Sequence, residues 1–166
     1  MNTCSRFQRR ILLPAGALIT VLSFSCQPAV FGQTSQSSHK TLAQRLVEST
    51  QQKHPEILEL GISTTTKRGC REIASTDHTD IGEKCEKEDV EAMQTQKPIL
   101  AREHEGFDVS LPLRDASGKL IGSVGIELKA VTGETKATAE QKATQVATEM
   151  AAQISSKAAL FRRAGR

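Results

Sequence analysis

A period-two alternation of apolar and polar residues runs through the segment from Gly106 to Leu128. It occupies two runs joined by a short connector rich in Asp, Ser and Gly, which predicts two antiparallel strands and a tight hairpin turn. Gly118 lies in the connector, where a short loop needs a residue that accepts a positive φ. The apolar rows are Phe107, Val109, Leu111 and Leu113 on the first strand, and Leu120, Val124, Ile126 and Leu128 on the second.

Weaker patterns before this hairpin predict two helices and three more strands. A capping box at Thr41–Gln44 opens a helix that ends before Pro55, because the residue preceding a proline avoids the α region. Strands are predicted over 56–64 (Leu58, Leu60 and Ile62 on one side), 71–76 and 99–105, and a short helix over 86–95 has Val90 and Met93 facing inward.

A second capping box at 138–141 predicts a C-terminal helix with one apolar stripe. The stripe packs either on the sheet or against a partner helix in a homodimer. The element order predicts an α+β fold: a five-stranded antiparallel PAS-like sheet, long N- and C-terminal helices and a short helix between strands 2 and 3. The stripe residues are Ala143, Val146, Ala147, Met150, Ile154, Ala158 and Phe161.

The N-terminal segment has the order of a secretory signal peptide: basic residues, an apolar run over 11–24, and small residues before Gly32. We therefore predict a signal peptide over 1–32, a flexible lead-in over 33–40, a domain over 41–130 and a C-terminal helical segment over 131–166. The product is expected to be exported, to a periplasmic or extracellular location. A retained membrane anchor and a lipid attached at Cys26 are the alternatives.

Charge and composition argue against a nucleic-acid partner. The only charged residues before residue 33 are three arginines, so 19 of the 22 basic residues remain to balance 19 acidic ones. Trp and Tyr are absent, and two of the five phenylalanines follow the signal peptide. Neither a basic field nor aromatic platforms for bases are therefore available.

Two cysteines, Cys70 and Cys85, follow the signal peptide. An even pair in an exported chain predicts one disulfide. Zinc binding by these cysteines with Asp77 and His78, and a redox role for Cys85, are the alternatives, although the Cys-x-x-Cys spacing of common zinc sites is missing.

The hairpin and the segment Ile73–Asp77 followed by Ile81 and Gly82 resemble the PAS-like Cache family of extracytoplasmic sensor domains. The resemblance covers about residues 42–129. It implies a small-molecule pocket between the sheet and the short helix, with amino acids or small carboxylates as ligands. After residue 129 the sequence departs from those sensors, because no second transmembrane helix and no signalling domain follow.

Candidate ligand groups lie on the third and fourth strands and at the end of the second. An arginine could hold a carboxylate with its planar fork, and a histidine could donate or accept near neutral pH. An aspartate on the next strand could hold an amino group. These residues could equally be solvated sheet and loop positions. The predicted ligand site is Arg102, His104, Asp108, Ser75, Thr76 and Asp77.

No nucleophile, phosphate-loop or dinucleotide motif is present in the sequence. We therefore predict a binding module that is not an enzyme and needs no cofactor or metal. Its partner is a small-molecule ligand, with a homodimer through the terminal helices or an unidentified protein partner as additions. The alternatives are a redox-active or metal-binding exported protein that uses Cys70 and Cys85, and a helix-mediated interaction protein.

Overall fold

A computed structural model describes residues 40–103 and 106–163 of the 166-residue chain. The predicted signal peptide, Cys26 and nearly all of the lead-in lie outside these residues. The described part contains no helix long and apolar enough to cross a membrane. The elements are α1 (Leu42–Lys53), β1 (Ile57–Thr66), β2 (Gly69–Ser75), α2 (Lys87–Thr95), β3 (Ile99–Glu103), β4 (Gly106–Arg114), β5 (Leu120–Lys129), α3 (Lys136–Ala151) and α4 (Lys157–Leu160).

The five strands form one antiparallel sheet in the order β2-β1-β5-β4-β3. This confirms the predicted α+β class, the five-stranded sheet and the short helix between strands 2 and 3. The predicted hairpin joins β4 to β5, and Gly118 has the expected positive φ of 86°. Asp115 closes the turn, since its Oδ1 accepts hydrogen bonds from the Ser117 and Lys119 amides at 3.0 and 3.1 Å.

The main core lies between one face of the sheet and the helices α1, α3 and α4. Thr41 caps α1 as predicted, with its hydroxyl accepting from the Gln44 amide at 3.1 Å. The Gln44 side chain instead donates to the Ser75 carbonyl at 2.8 Å, which fixes α1 to the end of β2. Fully buried side chains of this core include Leu60, Ile62, Leu113, Ile126, Met150 and Leu160.

The long terminal helices of the prediction are not supported. The first helix has 12 residues, and the C-terminal segment divides into α3 of 16 residues and α4 of four. The capping box of α3 is formed by Thr135 and Thr138, three residues earlier than predicted. The chain leaves the helix after Ala151 so that Ile154 enters the core, and the later positions shift: Ala159 and Leu160 are buried, whereas Phe161 is 47% exposed.

Two predictions of which side chains face the protein interior were also wrong. Pairing between β1 and β5 shifts register between Ile57 and Glu59, so Ile57 joins the core in place of Leu58. In α2 the buried residues are Asp89 and Ala92, and the predicted Val90 and Met93 are only half-buried. The error in β1 follows from local geometry, because a bulge changes which side of a strand faces inward.

Candidate functional site

A pocket of about 720 Å³ opens on the second face of the sheet, beside α2 and the loop over residues 76–86. It lies on the short-helix side, where the family resemblance predicts one. Its lining contains eight carboxylates and a single cationic side chain. The lining residues are Glu59, Gly61, Glu72, Asp77, Asp80, Glu83, Lys84, Glu86, Asp108, Gly125 and Glu127.

The floor of this pocket is built from two pentapeptides, one of which resembles the other read in reverse. Residues 59–63 read Glu-Leu-Gly-Ile-Ser and residues 123–127 read Ser-Val-Gly-Ile-Glu. Antiparallel pairing of β1 with β5 brings like residues opposite each other: Glu59 with Glu127, Gly61 with Gly125, and the two serines with each other. The apolar residues of both peptides face the core, so the polar row faces the pocket.

Three acidic residues therefore lie in one row across three neighbouring strands. Glu127 pairs with Glu59 on one side and with Asp108 of β4 on the other. Directly opposite residues lie about 5 Å apart, and like charges there destabilise a sheet. We call Asp108, Glu127 and Glu59 the acidic row. Repulsion along this row is unfavourable when its carboxylates are ionised.

The loop over residues 76–86 adds a second acidic wall. One carboxylate oxygen each of Glu59, Asp77 and Asp80 lie within 4.8 Å of one another. The loop is fixed to β2 by the disulfide Cys70–Cys85, which confirms the predicted bridge. Because both sulfurs are bonded, these cysteines are not available as zinc ligands, and that alternative is not supported.

Burial and mutual repulsion shift the pKa of two pocket carboxyls strongly. Loss of solvent contact raises the pKa of Glu59 to about 7, with a side-chain hydrogen bond to Asp80 and the charges of Asp80, Asp77 and Glu127 adding to the rise. Burial likewise raises the pKa of Glu72 to about 7. At neutral pH the protonated form of each group is therefore populated.

Glycine at position 61 makes room for the Glu72 carboxylate. A β-carbon on Gly61 would collide with the Glu72 Oε1 atom and lie 3.2 Å from its Cδ. A β-carbon on Gly125 would meet nothing closer than the Asp89 Oδ1 atom, at 4.0 Å. The missing side chain at 61 thus brings a fourth carboxylate to the floor of the pocket.

Asp89 of α2 is the buried anchor between helix and sheet. Its side chain is surrounded by the hydroxyls of Ser63, Ser110 and Ser123, and the Ser110 Oγ donates to its Oδ1 at 3.4 Å. Burial raises the pKa of Asp89, while these hydroxyls oppose the rise. The cluster holds α2 against the sheet beside the acidic row.

The ligand residues predicted from the sequence lie in different places in the structure. Asp77 and Asp108 line the pocket. Ser75 is fully buried beneath it, and Thr76 is engaged by β1, since its hydroxyl accepts from the Leu60 amide at 3.0 Å. Arg102 belongs to β3, where its backbone pairs with Phe107.

His104 lies outside the described residues, so its predicted role stays a prediction, as does the role of the Arg102 side chain. Sequence reasoning missed Glu59, Glu72, Asp80 and Glu127. The reversed pentapeptides are a sequence signal for the pairing of Glu59 with Glu127, because two segments with reversed sequences bring like residues together when they pair in antiparallel register.

Comparison with known proteins gives similarities of fold alone. No family model and no curated protein matches the chain. Similar solved structures include a candidate GAF sensor protein from Burkholderia vietnamiensis (12% identity, 70% of this chain and 76% of that one, TM-score 0.49). The GAF domain of an Acinetobacter phosphoenolpyruvate-protein phosphotransferase is also similar (11%, 66% and 77%, TM-score 0.46). The Cache family named by the sequence resemblance is not among these similar structures.

A third similar structure corrects one prediction. It is a type II free methionine-R-sulfoxide reductase from Thermoplasma acidophilum (16% identity, 66% of this chain and 86% of that one, TM-score 0.45). The prediction that the chain is not an enzyme is therefore wrong as an inference from fold and missing motifs, since an enzyme is among the similar structures. All three TM-scores lie below 0.5, so the chemistry of the pocket has to carry any functional argument.

Proposed function

We propose that this chain is a small-molecule-binding module whose acidic pocket takes an elongated organic cation with two or more amino groups. The observation that carries the proposal is the acidic row, in which Asp108, Glu127 and Glu59 occupy directly paired positions. Neighbouring strands are about 4.8 Å apart, so amino groups spaced along a flexible chain could each meet one carboxylate. The pocket volume of about 720 Å³ is typical of sites for small organic ligands.

The proposed ligand is an organic cation instead of the small carboxylate expected from the sequence. Lys84 is the one cationic residue among those lining the pocket, against eight carboxylates. A carboxylate ligand would add a further negative charge to that set, which Coulomb repulsion opposes. An amino acid fits only through its ammonium group, in keeping with the sequence-based role of Asp108.

A divalent cation is the second candidate occupant. The oxygens of Glu59, Asp77 and Asp80 lie within 4.8 Å of one another, and carboxylate oxygens are the ligands that Ca²⁺ prefers. The size of the pocket favours the organic cation. Export, a homodimer through the terminal helices and a protein partner remain proposals from sequence.

Isothermal titration calorimetry with spermidine and putrescine tests the proposal, with succinate and CaCl₂ as the competing ligand classes. We expect both amines to bind and succinate not to bind. Glu127→Gln should weaken amine binding about tenfold or more, because charged hydrogen bonds contribute about 1.5 to 3 kcal/mol. Glu140→Gln, an exposed position on α3, is the matched control and should leave the affinity unchanged.

Two results would count against the organic cation. Binding of Ca²⁺ without either amine would assign the site to the metal. Binding of succinate without either amine would restore the ligand class predicted from sequence.

A further inference from the structure

The disulfide Cys70–Cys85 joins the edge strand β2 to the far end of the loop over residues 76–86. That loop carries Asp77, Asp80, Glu83 and Lys84 into the pocket. The bridge thus lies outside the pocket, yet it fixes the segment that forms one of its walls.

Besides the disulfide, the end of this loop is held by backbone pairing with β2, which includes an antiparallel bridge between Arg71 and Lys84. The Gly82 amide donates to the Glu72 carbonyl at 2.9 Å, the Glu72 amide donates to the Glu83 carbonyl at 3.1 Å, and the Cys85 amide donates to the Cys70 carbonyl at 3.4 Å. Near the start of the loop, the His78 Nε2 atom lies 3.4 Å from the Oε1 atom of Glu48 in α1. The side chains of residues 81–84 are exposed, so apolar burial adds little to these bonds.

Charge repulsion destabilises the position of the loop beside the pocket. Asp80 lies beside Glu59 and also acts on Glu72, so the two walls of the pocket repel each other when they are ionised. A covalent bridge resists this repulsion without needing a compensating charge. Cys70 on the edge strand β2 and Cys85 at the end of the loop are both half-buried rather than enclosed in the core, which gives a reductant access to the sulfurs.

We propose that the Cys70–Cys85 disulfide is a redox-sensitive latch that holds the acidic loop over the pocket. Thiol–disulfide exchange with a dithiol breaks the S–S bond, gives two cysteine thiols and converts the dithiol to its own disulfide. The loop then separates from β2, and the pocket loses one acidic wall. The consequence for ligand binding rests on the proposed binding of an organic cation.

Hydrogen exchange measured by mass spectrometry on the whole chain tests the latch, with and without dithiothreitol. We expect peptides covering 76–86 to exchange at least tenfold faster after reduction, and peptides covering 106–128 to keep their protection. The double variant Cys70→Ser/Cys85→Ser should behave like the reduced protein without any reductant. Spermidine affinity, measured on the same samples, should fall at least fivefold.

Separate outcomes identify separate failures. Unchanged exchange of 76–86 after reduction overturns the latch, and so does a loss of protection in 106–128, because the bridge would then hold the whole domain. Faster exchange of 76–86 in a protein that binds no amine even when oxidised supports the latch and overturns the proposed ligand.

Discussion

Replacing Glu72 by glutamine should stabilise the ligand-free protein at alkaline pH and not at acidic pH. The pKa of Glu72 is raised from its ordinary 4.5 to about 7 in the folded state. A carboxyl with a raised folded-state pKa contributes stability in its protonated form, fully below about pH 4.5, and this contribution is lost as pH rises through about 7. Glutamine keeps the shape and cannot ionise, so it avoids the loss.

The size of the effect follows from the same shift. Undiscounted, a rise from 4.5 to about 7 corresponds to about 3 kcal/mol. The side chain keeps contact with solvent, and screening reduces this to about 1 to 2 kcal/mol. The change in stability caused by Glu72→Gln should therefore be about 1 to 2 kcal/mol more favourable at pH 8.5 than at pH 4.5.

Urea unfolding of the wild type and the variant at both pH values measures this difference. Glu140→Gln on the opposite face of the sheet is the matched control, since it changes the same chemical group at an exposed position. Equal shifts at the two pH values would refute the reasoning. That result would mean that the Glu72 carboxylate titrates alike in the folded and unfolded states.

Three further predictions concern the floor of the pocket, the bridge and the C-terminal helices. Gly61→Ala should displace the Glu72 carboxylate and weaken spermidine binding in calorimetry. The disulfide-free double variant should lose about 3 kcal/mol in urea unfolding, the chain-entropy value for a loop of this length. Met150→Ala should lower the unfolding free energy by about 2 to 5 kcal/mol, whereas Phe161→Ala, at an exposed position, should change it by less than about 0.5 kcal/mol.

The elements with strong local signals could be predicted from the sequence. The hairpin of β4 and β5 follows from alternation and from a glycine in the turn, and Thr41 begins α1 through its hydroxyl. These features depend on neighbours along the chain. The end of α3 could not be predicted in this way, because Ile154 continues the helical stripe in sequence and yet enters the core from a turn.

The acidic row illustrates why the site was missed. Glu59 and Glu127 are 68 positions apart, and only the register of β1 against β5 makes them neighbours. The register shifts near Ile57, and the sequence signal for the pairing is the reversed pentapeptides, which lie far apart along the chain. Arg102 and Asp108, by contrast, lie on strands that the sequence predicts to be neighbours, but that prediction does not give the sign of the charge that dominates the pocket.

Calorimetric titration of spermidine at pH 7 in two buffers of different ionisation enthalpy tests the central claim most directly. Burial raises the pKa of Glu59 and Glu72 to about 7, so their protonated forms are populated at this pH, and a cation bound in the pocket should displace those protons. The account predicts net proton release when spermidine binds, with release largely lost in the double variant Glu59→Gln/Glu72→Gln. Spermidine binding without proton release, or with proton uptake, would contradict the assignment of the cation to this pocket.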